Sequence, residues 1–384
     1  MKNDWKEVEL GVVIDLYDSK RIPLSGKERS TRQGKYPYYG ASGIIDYIDD
    51  YIFDGDYLLV AEDGENLNSR KLPISFWGRG KFWVNNHAHI LLGKDGKANT
   101  DYIRHWFSQA NISGYITGAA QPKLSQGNLR RIKLNLPDIS VQDKIASTLS
   151  NYDNLIEINN RRISILEDIA QSLYREWFVR FRFPGHQDCE FKDSELGRIP
   201  EGWEVRKLKL VCNLTMGQSP KSEFYNEDGQ GVPFFQGVKD FGFRFPTKRI
   251  WCSNPTRFAN KDDILFSVRA PVGRLNIAGF DLAIGRGLCA IRHKLGYQSF
   301  LYQQLKAIFT TEDMMGNGAI FNSVTKTDIE GIELLCPSNS LDLEMEKQLK
   351  PIFRSLDLLS SKNSNLKIQR DLLLPKLISG GLTV

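Results

Sequence analysis

The sequence predicts an α+β protein built from two copies of one unit, each a mixed α/β globular domain followed by a long helix. The two helices are expected to pair as an antiparallel coiled coil. Three observations predict this fold: a repeat with a period near 200 residues, an alternating strand late in each copy, and a long amphipathic pattern after each strand. With 384 residues, 41% of them hydrophobic and 25% charged, the chain is long enough for two or three soluble domains.

The repeat is clearest near the end of each globular copy. Gly118–Leu124 corresponds to Gly318–Val324 at an offset of 200, and this offset continues through the strand that follows. Near the start of each copy, Trp5–Leu10 corresponds more loosely to Trp203–Leu208. A repeat of this length predicts two related domains in one chain.

A strand and then a helix are predicted at the end of each copy. Ile132–Leu136 and Ile332–Cys336 alternate apolar and polar residues and are each stopped by a proline. From Val141 to Val179 apolar residues recur every three or four positions without Gly or Pro, which predicts a helix roughly 55 Å long. Two such helices favour mutual pairing, although each could instead cover only its own domain.

The second helical pattern is shifted relative to the first. Asp357 corresponds to Asp153 at an offset of 204 rather than 200, so four additional residues are expected in the turn Pro337–Leu341. Pro351 and Pro375 are expected to kink the second helix or to mark its ends, because proline removes a backbone donor.

The predicted organisation has five parts. They are a first globular domain at 1–140, a first helix at 141–179, a turn-rich linker at 180–202, a second globular domain at 203–340 and a second helix at 341–384.

Four phrases distributed over the chain carry a family resemblance: Tyr36–Gly43, Gly118–Leu124, Leu173–Phe178 and Leu196–Trp203. In their order and duplication they resemble the specificity subunits of type I restriction-modification systems. The resemblance implies two target-recognition domains, each reading one half of a bipartite, asymmetric site on double-stranded DNA. It further implies that the helices dock two methyltransferase subunits and set the half-site spacing, and that a motor-nuclease subunit completes the complex.

Motifs for independent catalysis are not found. No Gly-Lys pair is followed by Ser or Thr, which excludes a P-loop. Asn254–Arg257 lacks the second proline and the aromatic residue of a methyltransferase loop, and Glu190–Lys192, a possible nuclease fragment, lies in the predicted linker. We expect no catalytic residues and no cofactor. An enzyme acting alone and a protein-binding coiled-coil adaptor remain as alternative classes.

His87 and His89 would lie on one side of a strand and could form a metal pair. The second copy has Gly287 and Cys289 there, so a polar or DNA-facing strand surface is the preferred interpretation, and no metal is expected. The five cysteines form no Cys-x-x-Cys pair and are interpreted as reduced thiols. The sequence shows no signal peptide core or membrane span, so a cytoplasmic protein is expected.

The DNA-binding residues are predicted from loop composition. The net charge of +5 permits nucleic-acid binding without requiring it. Bases are read mainly by Arg, Lys, Asn and Gln, while phosphates are contacted by cations, hydroxyls and backbone amides. The predicted DNA-binding residues are Tyr38, Tyr39, Ser42, Arg70, Lys71, Arg79, Lys81, Gln121, Lys123, Gln218, Lys221, Arg244, Arg269, Arg274, Arg286 and Asn322.

Overall fold

The structure is a computed structural model that describes residues 5–309, 323–337 and 339–382. The chain divides into two compact units, which we call unit 1 (Met1–Ile158 with Asn363–Val384) and unit 2 (Asn159–Lys362). The division runs through the two long helices. Each unit therefore combines one globular copy with parts of both helices.

The elements of the first copy follow one another closely along the chain. They are β1 (Lys6–Glu9), α1 (Leu10–Val13), β2 (Ile14–Leu16), α2 (Gly26–Thr31), β3 (Gln33–Gly40), β4 (Gly43–Ile48), β5 (Phe53–Asp54), β6 (Tyr57–Ala61), α3 (Asn66–Ser69), β7 (Ser75–Gly78), β8 (Lys81–Val84), β9 (Ala88–Gly93), α4 (Thr100–Gln109), α5 (Gln126–Arg131), β10 (Lys133–Leu136) and α6 (Ile139–Tyr174).

The second copy begins after a short hairpin. Its elements, with that hairpin first, are β11 (Phe191–Ser194), β12 (Gly197–Pro200), β13 (Glu204–Lys207), α7 (Leu208–Val211), β14 (Cys212–Met216), β15 (Tyr225–Asn226), β16 (Val232–Phe235), β17 (Trp251–Cys252), β18 (Phe258–Ala259), β19 (Ile264–Ser267), β20 (Leu275–Ile277), β21 (Leu282–Ile284), β22 (Leu288–His293), α8 (Gln298–Ile308), α9 (Lys326–Glu330), β23 (Glu333–Cys336) and α10 (Asn339–Ile378).

The strand order confirms the predicted duplication. Unit 1 has the sheets β2-β9-β6-β7 and β4-β3-β8-β5, and unit 2 has β14-β22-β19-β20 and β15-β17-β16-β21-β18. In both units one pair within the second sheet is parallel, with Tyr38 opposite Trp83 and Phe234 opposite Ala283. In both globular copies the first strand pairs antiparallel with the last, β1 with β10 and β13 with β23.

The predicted strand alternation explains how each copy closes. In β10, Leu134 and Leu136 are buried while Lys133 and Asn135 are exposed, because successive side chains of a strand point to opposite faces. The buried leucines join the core of unit 1, which α6 also covers with Ile145 and neighbouring apolar residues. The domain core and the helix face are thus one hydrophobic cluster.

The two long helices are antiparallel, as predicted. In unit 1, Leu149 from the first part of α6 shares a buried cluster with Leu377 near the end of α10. In unit 2, Tyr174 at the end of α6 shares a buried cluster with Met345 near the start of α10. The start of each helix is therefore grouped with the end of the other.

The predicted location of the four additional residues was wrong. α10 already begins at Asn339, at the same offset of 200 from Ile139 as the preceding strands, and it contains 40 residues where α6 contains 36. The insertion therefore adds about one helical turn and does not lengthen the connection. Beyond Tyr174, a π-helical turn continues α6 over Arg175–Val179.

The two prolines do not end the second helix. Pro351 lies inside α10, and Pro375 lies three residues before its end at Ile378. The Pro351 carbonyl accepts a hydrogen bond from the Ser355 hydroxyl at 2.9 Å. Packing of the apolar face maintains the helix despite the missing backbone donor.

The predicted linker is more ordered than its composition suggested. It contains the β11–β12 hairpin, which turns at Gly197 with a φ of +88°. Phe183, Ile199 and Trp203 are buried in the same hydrophobic cluster as α10 residues of unit 2. In the described part of the chain, none of the helices is long and apolar enough to cross a membrane.

Candidate nucleic-acid interface

In unit 1, the carboxyl ends of β2, β3, β6 and β8 meet, and the loops there form what we call the first loop cluster. It consists of residues 17–21, 40–43, 62–64, 85–87 and 117–124. Backbone hydrogen bonds hold these loops together, from Glu62 N to His87 O at 2.9 Å and from Leu124 N to Glu62 O at 2.7 Å. The repeated Gly118–Leu124 phrase is therefore part of this cluster.

In unit 2, the corresponding strands β14, β16, β19 and β21 end in the second loop cluster. It consists of residues 217–219, 236–237, 268–274, 285–287 and 323–324. Val268 N donates to Gly287 O at 3.0 Å, and Val324 N donates to Val268 O at 3.0 Å. These bonds occupy the same places in the fold as the two bonds of the first cluster. The two clusters therefore share one backbone frame.

An ion-pair network fills the inner side of the first cluster. The His89 ring is fully buried, with Nδ1 2.6 Å from an Asp18 carboxylate oxygen and Nε2 2.7 Å from the Leu124 carbonyl oxygen. Both partners are acceptors, so a doubly protonated ring satisfies both. Glu62 pairs with Arg21 at 2.6 Å and with Lys123 at 3.3 Å. Lys123 and Leu124 are thus fastened to the core by charged groups.

The Asp18 carboxylate is ionised in this network. Burial alone would raise its pKa, but the hydrogen bond and charge of His89, the Ile90 amide and Arg21 together lower it. Asp18, Glu62 and His89 bring three possible metal-ligand atoms within 4.8 Å of one another. Because Arg21 and Lys123 already pair with these carboxylates, the charges are balanced by protein groups, and we interpret the group as structural.

The preferred interpretation of the two histidines was wrong for one of them. His87 lies in the turn before β9, with 46% of its side chain exposed, and contacts Asp63 at 2.7 Å. His89 lies inside β9 and points into the core. The two imidazoles therefore do not share a polar strand surface.

Close packing of glycines shapes the second cluster. A side chain at Gly287 would place its Cβ 2.3 Å from the Gln236 carbonyl oxygen, and one at Gly285 would place it 2.8 Å from the Phe234 ring. Arg286, between these glycines, is exposed, and its backbone N donates to the Ser219 hydroxyl at 3.2 Å. The loop therefore presents an arginine on a rigid backbone.

Seven predicted DNA-binding residues gather in the two clusters, all exposed. The first cluster holds Ser42, Gln121 and Lys123, and the second holds Gln218, Arg269, Arg274 and Arg286. Arg269 forms a β-bridge with Ser323, as Asp63 does with Lys123 in the first cluster. Sequence-distant candidates are thus brought together in each unit.

Four other exposed candidates lie outside the clusters. Lys71 follows α3, and Lys221 follows the second cluster. Arg79 and Lys81 lie at the opposite end of β8 from the first cluster, where Arg79 is near Glu157 of α6 and Lys81 lies over the Tyr51 ring. These four residues stay a prediction without support from the clustering.

The structure corrects four candidates, because their side chains are buried or committed to other partners. Tyr38 and Tyr39 are buried in the core, where the Tyr38 hydroxyl accepts a hydrogen bond from Leu24 N. Arg70 donates to the Phe107 and Ala110 carbonyls at the end of α4. Arg244 is 4% exposed and pairs with Asp357 at 2.9 Å. Asn322 lies outside the described residues.

Two residues of the first cluster were not among the predicted DNA-binding residues. Asn86 is exposed and occupies the place of Arg286, and Arg21 reaches the loop by donating to the Ala88 carbonyl at 2.9 Å. The offset of 200 between Asn86 and Arg286 could have identified Asn86. No local pattern marks Arg21.

Comparison with known proteins agrees with this duplicated architecture. The family described as "Type I restriction modification DNA specificity domain" matches the chain twice, over residues 2–168 and 200–368. The putative type I restriction enzyme MjaX specificity subunit of Methanocaldococcus jannaschii is 35% identical, over 99% of this chain and 94% of that relative. The type I restriction enzyme MjaIX specificity subunit of the same organism is 24% identical, over 100% and 97%.

A solved structure shows the same fold. The crystal structure of the type I restriction-modification system S subunit from M. genitalium superposes with a TM-score of 0.67 at 18% identity, and covers 97% of this chain and 96% of that one. At this identity the likeness concerns the arrangement of the elements alone.

Proposed function

The chain belongs to the family of type I restriction-modification DNA specificity domains, and we propose that each of its two loop clusters reads one half of a bipartite DNA site. Methylation and cleavage would be carried out by other subunits, two methyltransferases and a motor-nuclease. The protein itself would supply sequence recognition and assembly.

The observation that carries the proposal is that one backbone frame presents different side chains in the two clusters. Asn86 occupies the place of Arg286, and Asp63 occupies the place of Arg269. Arginine favours guanine and asparagine favours adenine in the major groove, so different side chains on one frame favour different base sequences. The site is therefore expected to be asymmetric.

Exposed apolar residues support a docking role for the long helices. Leu155, Ile158, Ile165 and Ile169 form a stripe on α6, each with about half of its surface exposed. In unit 2, Ile165 lines an apolar groove with Leu358 of α10. Exposed apolar surface of this kind is typical of protein interfaces, so the helices are the proposed surface for the methyltransferase subunits.

The helices would also set the distance between the half-sites. α6 extends about 54 Å at 1.5 Å per residue, enough to serve a DNA site whose halves lie about one helical turn, ~34 Å, apart. A protein with two related readers suits such a split site, since each reader needs only one face of the duplex.

The test is an exchange of residues 1–140 for those of a related specificity subunit with a different target. The hybrid is produced with its methyltransferase subunits, and methylated positions are mapped across the genome. We expect one half of the recognised sequence to change while the other half stays the same. An unchanged methylation pattern, or a change in both halves, would contradict the proposal, as would methylation by the purified chain alone.

A further inference from the structure

The two long helices contact their globular domains through residues at the same two positions. In unit 1 these are Gln142 and Asp153 of α6, and in unit 2 they are Glu346 and Asp357 of α10, both at an offset of 204. Eleven residues separate the members of each pair, which is about three helical turns or about 16 Å. Both members of a pair therefore lie on one side of their helix.

The first position contacts the start of a domain helix in both units. The Gln142 side chain accepts a hydrogen bond from Asn99 N, the N-cap of α4, at 2.9 Å. The Glu346 carboxylate accepts one from Phe300 N in the first turn of α8, also at 2.9 Å. Both side chains are more than nine-tenths buried, so this contact is an integral part of each junction.

The second position binds an arginine of the domain in both units, but the arginines come from different elements. Asp153 accepts from Arg104 of α4 at 2.7 Å. Asp357 accepts at 2.9 Å from Arg244, which lies in the loop after β16 and packs over the Phe353 ring. Two unrelated arginines therefore meet an aspartate at the same helical position.

A cavity adjoins the contact at the second position in both units. A cavity of about 460 Å³ adjoins Asp153, and one of about 550 Å³ adjoins Asp357. Burial raises the pKa of the Asp153 carboxyl, but its hydrogen bonds from Arg370 and Arg104 outweigh this and lower the pKa, so the ion pair persists at neutral pH. Buried apolar residues of each helix pack against the domain between the two positions, but at the second position a cavity adjoins the contact and a directional ion pair spans it.

We infer that Asp153 and Asp357 are positioning residues that fix the angle of each globular domain on its long helix. They would thereby restrict the spacer length, which is the number of base pairs between the two half-sites. This inference rests on the proposed function. Apolar packing and the first contact hold each domain near the start of its helix, but apolar packing is not directional and leaves small rotations open. The second contact, about 16 Å further along the helix, restricts these rotations.

The test compares variants in the complete complex with its methyltransferase subunits, acting on plasmids that carry both half-sites separated by spacers of different lengths. Arg104→Ala removes the link from Asp153 to the domain. Arg370→Ala is the matched control, because Arg370 of α10 pairs with the other oxygen of the Asp153 carboxylate at 2.7 Å. That ion pair joins the two long helices and does not link α6 to the globular domain. Asp357→Ala tests unit 2.

We expect Arg104→Ala and Asp357→Ala to raise methylation of sites whose spacer is one base pair shorter or longer than the preferred one. The ratio of methylation at these sites to methylation at the preferred spacer should rise by about fivefold, which corresponds to the loss of one ion pair. The half-site sequences should not change, and Arg370→Ala should keep the wild-type spacer profile. If Arg104→Ala is poorly folded by thermal unfolding, the isosteric Asp153→Asn carries the same expectation.

The inference is overturned if the spacer profile stays unchanged in these variants, if methylation falls equally at every spacer length, or if Arg370→Ala broadens the profile as much as Arg104→Ala. A wild-type complex that methylates no bipartite site would instead overturn the proposed function itself.

Discussion

The two loop clusters have the same backbone frame, but their loops are held in different ways. In the first cluster, buried charges of His89, Asp18 and Glu62 fasten the loop that carries Lys123. In the second cluster, the buried thiol of Cys289 takes the place of His89. There, close backbone packing at Gly285 and Gly287 holds the loop in position. One frame can thus be made rigid either by electrostatics or by shape, which leaves its outer side chains free to differ.

The largest expected difference concerns stability at the place shared by His89 and Cys289. His89→Ala leaves the buried Asp18 carboxylate without its main partner and should lower the free energy of unfolding by about 3 kcal/mol. Cys289→Ala removes one buried sulfur atom and should cost about 1 kcal/mol. Denaturant unfolding of both variants measures the difference, and similar losses would show that the charged network does not stabilise unit 1.

The Asp18 part of this effect has a defined pH dependence. Because its folded-state pKa is lowered, Asp18 stabilises the fold above its unfolded pKa of about 4, and this contribution disappears as the pH falls through the lower folded value. The part of the difference between wild type and His89→Ala that comes from Asp18 should therefore shrink when denaturant unfolding is repeated in acid.

A second prediction concerns the glycine of the second cluster and its counterpart. Gly287→Ala would force the loop away from the Gln236 carbonyl and displace Arg286, so we expect about a tenfold loss of affinity for the second half-site. His87 lies at the corresponding place but is exposed, so His87→Ala should change affinity less than twofold. Binding to DNA with single base changes in either half-site measures both effects. Equal losses in the two variants would contradict the proposed difference.

The smallest expected effect comes from the charge balance of the first cluster. Glu62→Gln removes a carboxylate that pairs with both Arg21 and Lys123, which frees two cations near the DNA but also loosens the loop that Glu62 fastens. The net result should be only about a two- to threefold gain in DNA affinity at low salt, with a smaller gain at high salt. Glu195→Gln changes the net charge equally in the exposed β11–β12 turn and serves as the control. A gain of the same size in the control would assign the effect to overall charge.

The duplicated fold could be predicted from the sequence because the repeat and the strand and helix periodicities are local patterns. The burial of Tyr38 and Tyr39 could not, since β3 carries aromatic residues at consecutive positions and has no alternation to mark a solvent face. Arg244 was misassigned for another reason. Its partner Asp357 lies 113 residues away, so composition near Arg244 cannot show that its charge is already paired.

The offsets themselves contained more information than the residue types. Asn86 and Arg286 share an offset of 200, while Asp153 and Asp357 share 204, and each offset identifies a pair with the same place in the fold. Loop composition favoured any exposed cation, including Lys71 and Lys221, which lie outside the clusters. Correspondence between copies is therefore the better guide to the site.

The composition of unit 1 from both ends of the chain has a consequence for biosynthesis. Ile145 and Leu149 are buried with Leu374 and Leu377, which the ribosome adds about 230 residues later. At 5–20 residues per second this interval lasts roughly 10 to 45 seconds. During that time the apolar side of the first helix lacks its partner, so the nascent chain should be a substrate for chaperones, and unit 1 should reach its final stability only after Leu377 has left the ribosome.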